Sequence, residues 1–512
     1  MYLLARVIAY IYQSFSWPMD GDLSFLYYIS WLMNDHDFVP YRDVHETSFF
    51  GTFIFYSVLT RIAGYSTIAF HIVDALFFLT LSFLTIRLLK PFGMLSGWLA
   101  VGLFGELYYQ AGIGVHLQRD IVALLPAVLG LLLAQEEHMS TTGRSLLIGA
   151  LFAMAACIKP QFALGIFPVA TLMYFQNKQS MTVRQMQVAM AYCLAGFLLI
   201  VMLGLLWLIT HGVLSSFLDM TFNYLPAYNS INGRNFARMP ADALIGAIKW
   251  LGGTILMSGL ILLPSIFHLF YKAKVTCHAK SLAICVVVLW VLYLLYVTFA
   301  GKYWGYHIMP SNYFCALGMS FIAAKPAMEI QYARKYLFIT GVWLFLCWYA
   351  ILQQTLFICP TVNTELNQRT ERAISTLTDF LQERLKPGDK VLPHVLHTRG
   401  AIFPALLKAK AIPATPYLEN YLLYHNVSSP YVRRARQRFL AMLQTAPPRF
   451  IITTPTVFYF HGQDTEATFH PFEAWLQQNY SLVLSSPDLP NQSATEAFEV
   501  YEYSPRERRV AK

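Results

Sequence analysis

Long runs of apolar residues constrain the fold of this chain more than any other feature. The runs at 186–210 and 281–300 are each long enough to cross a bilayer core, which takes about 20 helical residues. Of the 512 residues, 56% are hydrophobic and 13% are charged, about half the charged share of a soluble domain. The sequence therefore predicts a polytopic α-helical membrane protein. We expect about eleven apolar helices, near 2–17, 66–89, 94–110, 121–135, 145–158, 161–176, 186–210, 244–271, 281–300, 308–323 and 336–357.

Basic residues lie mainly in alternate loops between these runs, which predicts the orientation of the chain. Loops rich in lysine and arginine usually face the cytoplasm. The basic loops carry Arg87, Lys90, Arg144, Lys178, Arg184, Lys272, Lys274, Lys280, Lys325, Arg334 and Lys335. The loops 18–65, 109–120, 211–243 and 301–307 then lie outside, together with the C-terminal region. Because orientation explains most of the basic residues, the net charge of +9 does not indicate a nucleic-acid partner.

The composition changes near residue 361 to that of an ordinary soluble protein. Helical patterns alternate there with strand patterns such as "KVLPHV", which predicts a small α/β domain. We therefore divide the chain into a transmembrane catalytic domain, 1–360, and a soluble outside domain, 361–512. Within the first outside loop, the patterns at 22–34 and 48–63 predict two helices that lie on the membrane surface.

Ionisable residues are concentrated in the loops that we place outside. They include Asp20, Asp22, Arg42, Asp43 and Glu46 in the first loop, Arg119 and Asp120 in the second, and Lys302, Tyr303 and His307 near the last. A charge beside a bilayer is unfavourable unless it is paired or hydrated, so such residues mark a functional site by default. The sequence thus predicts one site at the outer surface of the helix bundle.

Lys159, in "CIKPQ", belongs to the same set. It follows a helix of about 15 residues, or roughly 22 Å, which is short of the roughly 30 Å core. We therefore expect its ammonium group near the depth of a lipid phosphate. The alternative is that the apolar stem of Lys159 lies along the protein surface and its ammonium group extends to the membrane interface. Other residues also have plainer alternatives: Asp20 or Asp22 as a helix N-cap, Arg119 with Asp120 as a local ion pair, and His307 as part of an aromatic belt.

Six stretches of this sequence, in this order, resemble the GT-C superfamily of membrane glycosyltransferases. They are "DGDLSFLYYISWLMNDHDFVPYRDVHE", "LQRDIVALLPAVLGLLLA", "GALFAMAACIKPQFALGIFP", "GKYWGYHIMP", "LQERLKPGDKVLPHV" and "FLAMLQTAPPRFIITT". The superfamily includes the protein O-mannosyltransferases and the lipid A aminoarabinose transferases. Those two groups often show a Lys-Pro-Pro run where this chain has "HETSFFG", which favours the broader bacterial branch of polyprenyl-phosphate-sugar transferases.

The resemblance implies an inverting glycosyltransferase at the outer side of the bacterial inner membrane. Its donor would be a sugar on a polyprenyl phosphate, and its acceptor an envelope glycan, glycolipid or protein. Asp22 would be the catalytic carboxylate, with Asp20 as the second choice. The donor phosphate would be bound by Lys159, Arg119, Lys302 and Arg42. We expect further substrate contacts from Asp43, Glu46, Asp120, His307 and Tyr303, and no cofactor, although Asp20 and Asp22 leave a divalent metal open.

Two other classes of membrane protein also have many spans. A ligase or polymerase of lipid-linked glycans would use a lipid diphosphate donor, and the soluble C-terminal domain is less expected there. A transporter or flippase would place charged or broken segments near mid-membrane, often in repeated halves. This sequence has its polar loops on one face and no internal repeat, which favours the transferase.

Overall fold

The computed structural model describes most of the chain. The described residues are 2–19, 21–136, 138–177, 182–229, 262, 264–270, 275–300, 304–324, 364–396, 400–454, 464–486 and 497–504. The predicted helix 336–357 lies outside them, and so does most of 244–271. The site candidates Asp20, Lys302 and Tyr303 lie outside them as well.

Helices make up nearly all of the described chain before residue 364. They are α1 (Tyr2–Ser14), α2 (Asp22–His36), α3 (Phe50–Ala63), α4 (Thr67–Leu88), α5 (Met94–Gln110), α6 (Arg119–Leu133), α7 (Thr141–Ile158), α8 (Ile166–Asn177), α9 (Val183–Thr210), α10 (Leu214–Asp219), α11 (Leu225–Asn229), α12 (Cys277–Ala300) and α13 (Met309–Ser320). Short 3-10 turns at Lys90–Phe92, Ile113–Val115, Pro160–Gly165, Gly305–Ile308 and Phe321–Ala323 lie between them.

Four of the described helices are long and apolar enough to cross a membrane. They are α4, α7, α9 and, over Cys277–Val297, α12. Each matches a predicted apolar segment, because a run of about 20 apolar residues in helical form has the length of the hydrocarbon core. The predicted total of about eleven spans stays a prediction.

The chain divides into two compact units, each built from separated segments. The first unit comprises Met1–Ser16, Ile68–Leu206 and Phe236–Val362. The second comprises Trp17–Thr67, Trp207–Asn235 and Asn363–Lys512. Two outer loops of the predicted topology thus belong to the same unit as the C-terminal region.

Glycines bring two helices of the first unit into close contact. A Cβ atom added at Gly149 of α7 would lie 1.8 Å from the backbone oxygen of Cys193, and one added at Gly196 of α9 would lie 2.0 Å from that of Leu146. Real atoms cannot approach so closely, so neither position accepts a larger residue without moving a helix. Small residues commonly allow backbones to meet in this way in membranes.

A five-stranded sheet forms the C-terminal part of the second unit. Its strands are β1 (Lys390–His394), β2 (Ile412–Pro413), β3 (Phe450–Thr453), β4 (Tyr480–Ser485) and β5 (Glu499–Tyr503), in the order β2-β1-β3-β5-β4. β1 is parallel to β2 and β3, whereas β5 is antiparallel to β3 and β4. The accompanying helices are α14 (Thr364–Arg384), α15 (Ile402–Lys408), α16 (Pro430–Thr445) and α17 (His470–Asn479). The predicted α/β character of this region is confirmed.

The helix α2 packs against the C-terminal part of the second unit. Both predicted short helices of the first outer loop exist, but the residues of α2 from Leu23 to Leu32 are all buried in the protein. Phe25 and Tyr28 pack on Phe403 of α15, and the Tyr28 hydroxyl donates to the Ala411 carbonyl at 2.7 Å. The C-terminal segment thus covers part of α2, and the predicted position of this helix on the membrane surface stays a prediction.

Candidate functional site

Three residues predicted for the site meet in the first unit, although they are far apart in sequence. The Lys159 Nζ atom lies 2.9 Å from Asp120 Oδ2, and His307 Nδ1 lies 3.3 Å from the same oxygen. The Asp120 side chain is fully buried, and that of Lys159 is 12% exposed. Lys159 Nζ also lies 5.7 Å from the ring centre of Tyr306, within cation–π range. We call Lys159, Asp120 and His307 the lysine cluster.

Local sequence explains how each member of the lysine cluster is placed. Pro160 follows Lys159 and disfavours helical geometry there, so α7 ends at Ile158 and Lys159 adopts an extended backbone. Asp120 lies in the first turn of α6, where the helix dipole favours a carboxylate. His307 lies on the short turn Gly305–Ile308 that leads into α13.

Charges in the lysine cluster compensate one another. Asp120 lies in the predicted outer loop 109–120. Burial alone would raise the pKa of its carboxyl group, but Lys159 and His307 together hold that pKa well below its usual range. Burial and the nearby Lys159 lower the pKa of His307 to about 4. At neutral pH the cluster therefore holds a carboxylate, an ammonium group and a neutral imidazole.

An open apolar cavity lies near the lysine cluster, although none of the three cluster residues lines it. Its volume is about 550 Å³, and it is lined by Leu164, Val287, Val288, Val291, Leu292, Leu295 and Tyr296. Leu164 lies on the turn Pro160–Gly165, which begins directly after Lys159. The ring of Tyr296 meets the His307 ring edge-on, with 6.0 Å between their centres. A charged head and a hydrocarbon chain on one ligand could therefore be bound side by side.

A second buried network in the first unit shapes the turn before Asp120. The Tyr108 hydroxyl donates to Asp74 Oδ1 at 2.5 Å and accepts the Leu117 N–H at 2.9 Å. His116 stacks on the Tyr108 ring, and its Nδ1 lies 3.2 Å from Asp74 Oδ2. Leu117 has a φ of 47°, the left-handed region that a leucine rarely adopts, and Tyr108 helps to hold it there. Asp74 is not among the predicted site residues; its signal in the sequence is a lone carboxylate within an apolar helix.

Asp22, the predicted catalytic carboxylate, lies in the second unit as the first residue of α2. The N-cap position belongs to Gly21, with a φ of 71° and no side-chain cap, so the alternative that Asp22 is the N-cap is wrong. Gly21 permits this backbone because it has no Cβ. Asp22 is partly exposed.

The other candidates of the first outer loop contact residues within that loop. The Arg42 guanidinium bonds to the neighbouring Asp43 carboxylate at 2.8 Å, and Asp43 also accepts the Val39 N–H. Glu46 is buried and accepts the N–H and hydroxyl of Ser48. These contacts indicate that Asp43 and Glu46 shape the loop, and their predicted contacts with substrate stay predictions. Arg119 stands next to Asp120 at the start of α6.

Within the described part of the chain, no three His, Cys, Asp or Glu side chains group in a way that could hold a metal ion. Asp20 lies outside that part, so the question of a metal at Asp20 and Asp22 stays as the sequence left it.

Comparison with known proteins gives structural relatives but no sequence relatives. No protein-family model and no curated protein sequence matches the chain. It superposes on ArnT from Cupriavidus metallidurans bound to undecaprenyl phosphate with a TM-score of 0.57, at 11% identity and over 97% of each chain. For the apo state of ArnT the TM-score is 0.56, at 10% identity and over 97% of each chain. The mycobacterial arabinofuranosyltransferase AftD gives 0.49 at 13% identity, over 99% of this chain and 40% of that one.

The likeness to ArnT shows the fold. ArnT is a lipid A aminoarabinose transferase of the GT-C superfamily. The predicted resemblance is therefore confirmed at the level of the fold: this chain has the helical fold of ArnT together with a C-terminal sheet domain.

Proposed function

We propose that this protein transfers a single sugar from a polyprenyl-phosphate carrier to a hydroxyl group of an envelope glycan, glycolipid or protein. The observation that carries the proposal is the lysine cluster beside the apolar cavity. A polyprenyl phosphate has an anionic head and a hydrocarbon chain, and the two features suit these two parts. The fold shared with ArnT, which was crystallised with undecaprenyl phosphate, supports the same donor class.

In this proposal Lys159 binds the donor phosphate. A lysine ammonium is a compact charge with three donors, so it can contact the Asp120 carboxylate and a phosphate oxygen together. As the bond from the anomeric carbon to the phosphate oxygen breaks, negative charge grows on that oxygen, and a fixed cation stabilises it. Arg119, Lys302 and Arg42 remain further candidates for the same phosphate. The polyprenyl chain lies in the apolar cavity.

Asp22 acts as the general base. The acceptor hydroxyl attacks the anomeric carbon, its proton passes to the Asp22 carboxylate, and the polyprenyl phosphate leaves from the opposite side with inversion. Asp22 is the first residue of α2 and is partly exposed, so its carboxylate can accept a proton from an approaching hydroxyl group. Asp20 is the second candidate for this role. We place the reaction at the periplasmic side of the bacterial inner membrane, where the outer loops lie in the predicted topology.

The test is sugar transfer by the purified full chain. Radiolabelled undecaprenyl-phosphate sugars are incubated with wild type or Asp22→Asn protein and an extract of the native envelope. We expect label in an acceptor with wild type, and a loss of at least about a hundredfold with Asp22→Asn. Asp37→Asn is the matched control, because Asp37 ends the same helix and is exposed.

The same experiment separates the rival classes. Transfer only from diphosphate-linked glycans would identify a ligase or polymerase. Movement of labelled lipid across a vesicle without transfer would identify a flippase. Full transfer by Asp22→Asn would remove Asp22 from the role of base, and Asp20→Asn would then be tested in its place.

A further inference from the structure

Helix α16 carries an unusual concentration of arginine. Arg433, Arg434, Arg436 and Arg438 fall within six positions, and the helix has no acidic residue. Arg436 pairs with Glu466 at 2.5 Å and lies 4.2 Å above the ring of Phe469. The other three are exposed, and within the described residues none of them has an ion-pair partner. We call Arg433, Arg434 and Arg438 the arginine face.

The arginine face does not stabilise its own helix. Arg433 and Arg434 lie toward the N-terminal end, where the helix dipole disfavours cations. Arg434 and Arg438 are four positions apart, a spacing at which like charges repel. Val432, Ala435, Phe439 and Leu443 bury the opposite side of the helix and fix the arginines outward. Three exposed cations on one side of a helix that has no acidic residue favour an anionic ligand.

Aromatic residues continue the arginine face toward the first outer loop. Tyr431 precedes Arg434 by three positions, so the two share a side of α16. The Tyr431 hydroxyl lies 3.0 Å from His45 Nε2, and its ring stacks on Tyr224 with 5.3 Å between centres. The nearby Asp219 accepts a hydrogen bond from Asn223. The arginine face therefore adjoins the place where the C-terminal region meets both the segment 207–235 and the loop that holds Asp22.

We infer that the arginine face binds the acceptor, and that the acceptor is a glycan chain bearing carboxylate or phosphate groups. Arginine forms two parallel hydrogen bonds with either group. The inference rests on the proposed glycosyltransferase function. A membrane surface fits less well as the ligand. The structure describes every residue of α16, and Met442 is the one large apolar residue that this helix exposes and could insert into lipid.

Binding without transfer tests this inference. The full chain is placed in nanodiscs of zwitterionic lipid and, separately, of anionic lipid. Each sample is titrated with fluorescent polygalacturonate oligosaccharides, phosphorylated dextran and neutral dextran of equal length. Anisotropy is recorded at two salt concentrations. The test variant is Arg434→Gln/Arg438→Gln. The control is Arg372→Gln/Lys386→Gln, which removes the same charge from exposed positions of the same unit.

We expect wild type to bind one or both charged glycans, and neutral dextran at least about tenfold more weakly. The test variant should lose about tenfold in affinity and part of the salt dependence, while the control loses less than about twofold. Equal losses in both variants, or equal binding of neutral dextran, would overturn the inference. So would an effect of the test variant that appears only in nanodiscs of anionic lipid, which would assign the arginines to the membrane.

The two proposals fail in different ways. Binding of the charged glycans is measured without any sugar donor, so it does not depend on transfer. Binding by a protein that transfers no sugar would reject the proposed function and keep the arginine face as a glycan-binding surface. Transfer with no measurable difference between the test and control variants would reject the arginine face and keep the enzyme.

Discussion

Lys159 is oriented before any ligand arrives. Asp120 holds its ammonium group at 2.9 Å, and Tyr306 faces it from another element. A lysine near a membrane boundary would otherwise extend to water and lose rotamer freedom on binding a ligand. Holding the side chain in place beforehand removes that loss, so a cation held in this way would contribute more to stabilising the leaving phosphate of the proposed reaction.

We predict that Lys159→Ala weakens binding of undecaprenyl phosphate by about tenfold to a hundredfold, the range for one charge-assisted hydrogen bond. Lys159→Arg should retain part of the affinity. The measurement is a titration of the full chain in nanodiscs. Lys90→Ala is the control, because Lys90 is exposed in the same unit. Unchanged affinity in Lys159→Ala would return Lys159 to the interfacial alternative.

His394 gives the C-terminal region a pH dependence. Its Nε2 lies 2.7 Å from the Tyr424 hydroxyl, and burial lowers its pKa to about 3. The unfolded chain takes up this proton near pH 6.5, whereas the folded chain does so only near pH 3. The folded state therefore loses stability as the pH falls below about 6.5, by about 1.4 kcal/mol per pH unit.

We predict that between pH 6.5 and pH 4.5 the free energy of unfolding falls by about 2 to 3 kcal/mol less in His394→Gln than in wild type. The measurement is chemical unfolding of the full chain at both pH values. His45 and His307 are buried as well, but they contribute equally to wild type and variant. His470→Gln is the control, because the His470 side chain is 85% exposed. Parallel curves for wild type and His394→Gln would contradict the prediction.

At the scale of elements, the turn between α5 and α6 links the two buried polar groups of the first unit. Near the C-terminal end of α5, the Tyr108 hydroxyl donates to Asp74 and accepts the Leu117 N–H. Asp120 follows Leu117 by three positions and lies in the first turn of α6. The position of Asp120, and through it that of Lys159, therefore depends on a hydrogen bond that α5 provides.

We predict that Tyr108→Phe weakens donor binding by a few-fold, because Leu117 loses the acceptor that holds its left-handed backbone. Tyr313→Phe is the matched control: it removes another buried hydroxyl of the same unit, 2.7 Å from Thr85 Oγ1. Both variants should lose similar thermal stability in detergent. Equal donor affinities in the two variants would show that Tyr108 is structural only.

The sequence pattern predicted where helices form better than it predicted what packs around them. Apolar length predicted α4, α7, α9 and α12, because crossing a bilayer needs only a run of suitable residues. The sequence also predicted the members of the lysine cluster as site residues, since a charged residue near a membrane is rare. Their pairing was not, because the sequence shows no distance between Asp120, Lys159 and His307. The burial of α2 depends on α15, about 380 residues later, which no local pattern reveals.

At the scale of the whole molecule, the second unit joins the first outer loop to the C-terminal region. Phe25 of α2 meets Phe403 of α15 edge-on at 4.8 Å, and Tyr28 donates to Ala411. The His45 N–H donates to the Pro416 carbonyl at 2.8 Å. The helix that begins with Asp22 is therefore ordered by residues of the sheet domain, which gives that domain a role in placing the proposed base.

We predict that Phe403→Ala loosens α2. Removing a buried phenylalanine usually costs about 3–5 kcal/mol, and Phe403 contacts both Phe25 and Tyr28. Hydrogen exchange of residues 22–36 in the full chain should become at least about tenfold faster, and sugar transfer should fall with it. Leu482→Ala is the control, because Leu482 lies in the same unit and is 52% exposed. If exchange in α2 stays at the wild-type rate while the sheet itself exchanges faster, the sheet domain folds independently of the loop, and its arginine face would then bind glycans without positioning Asp22.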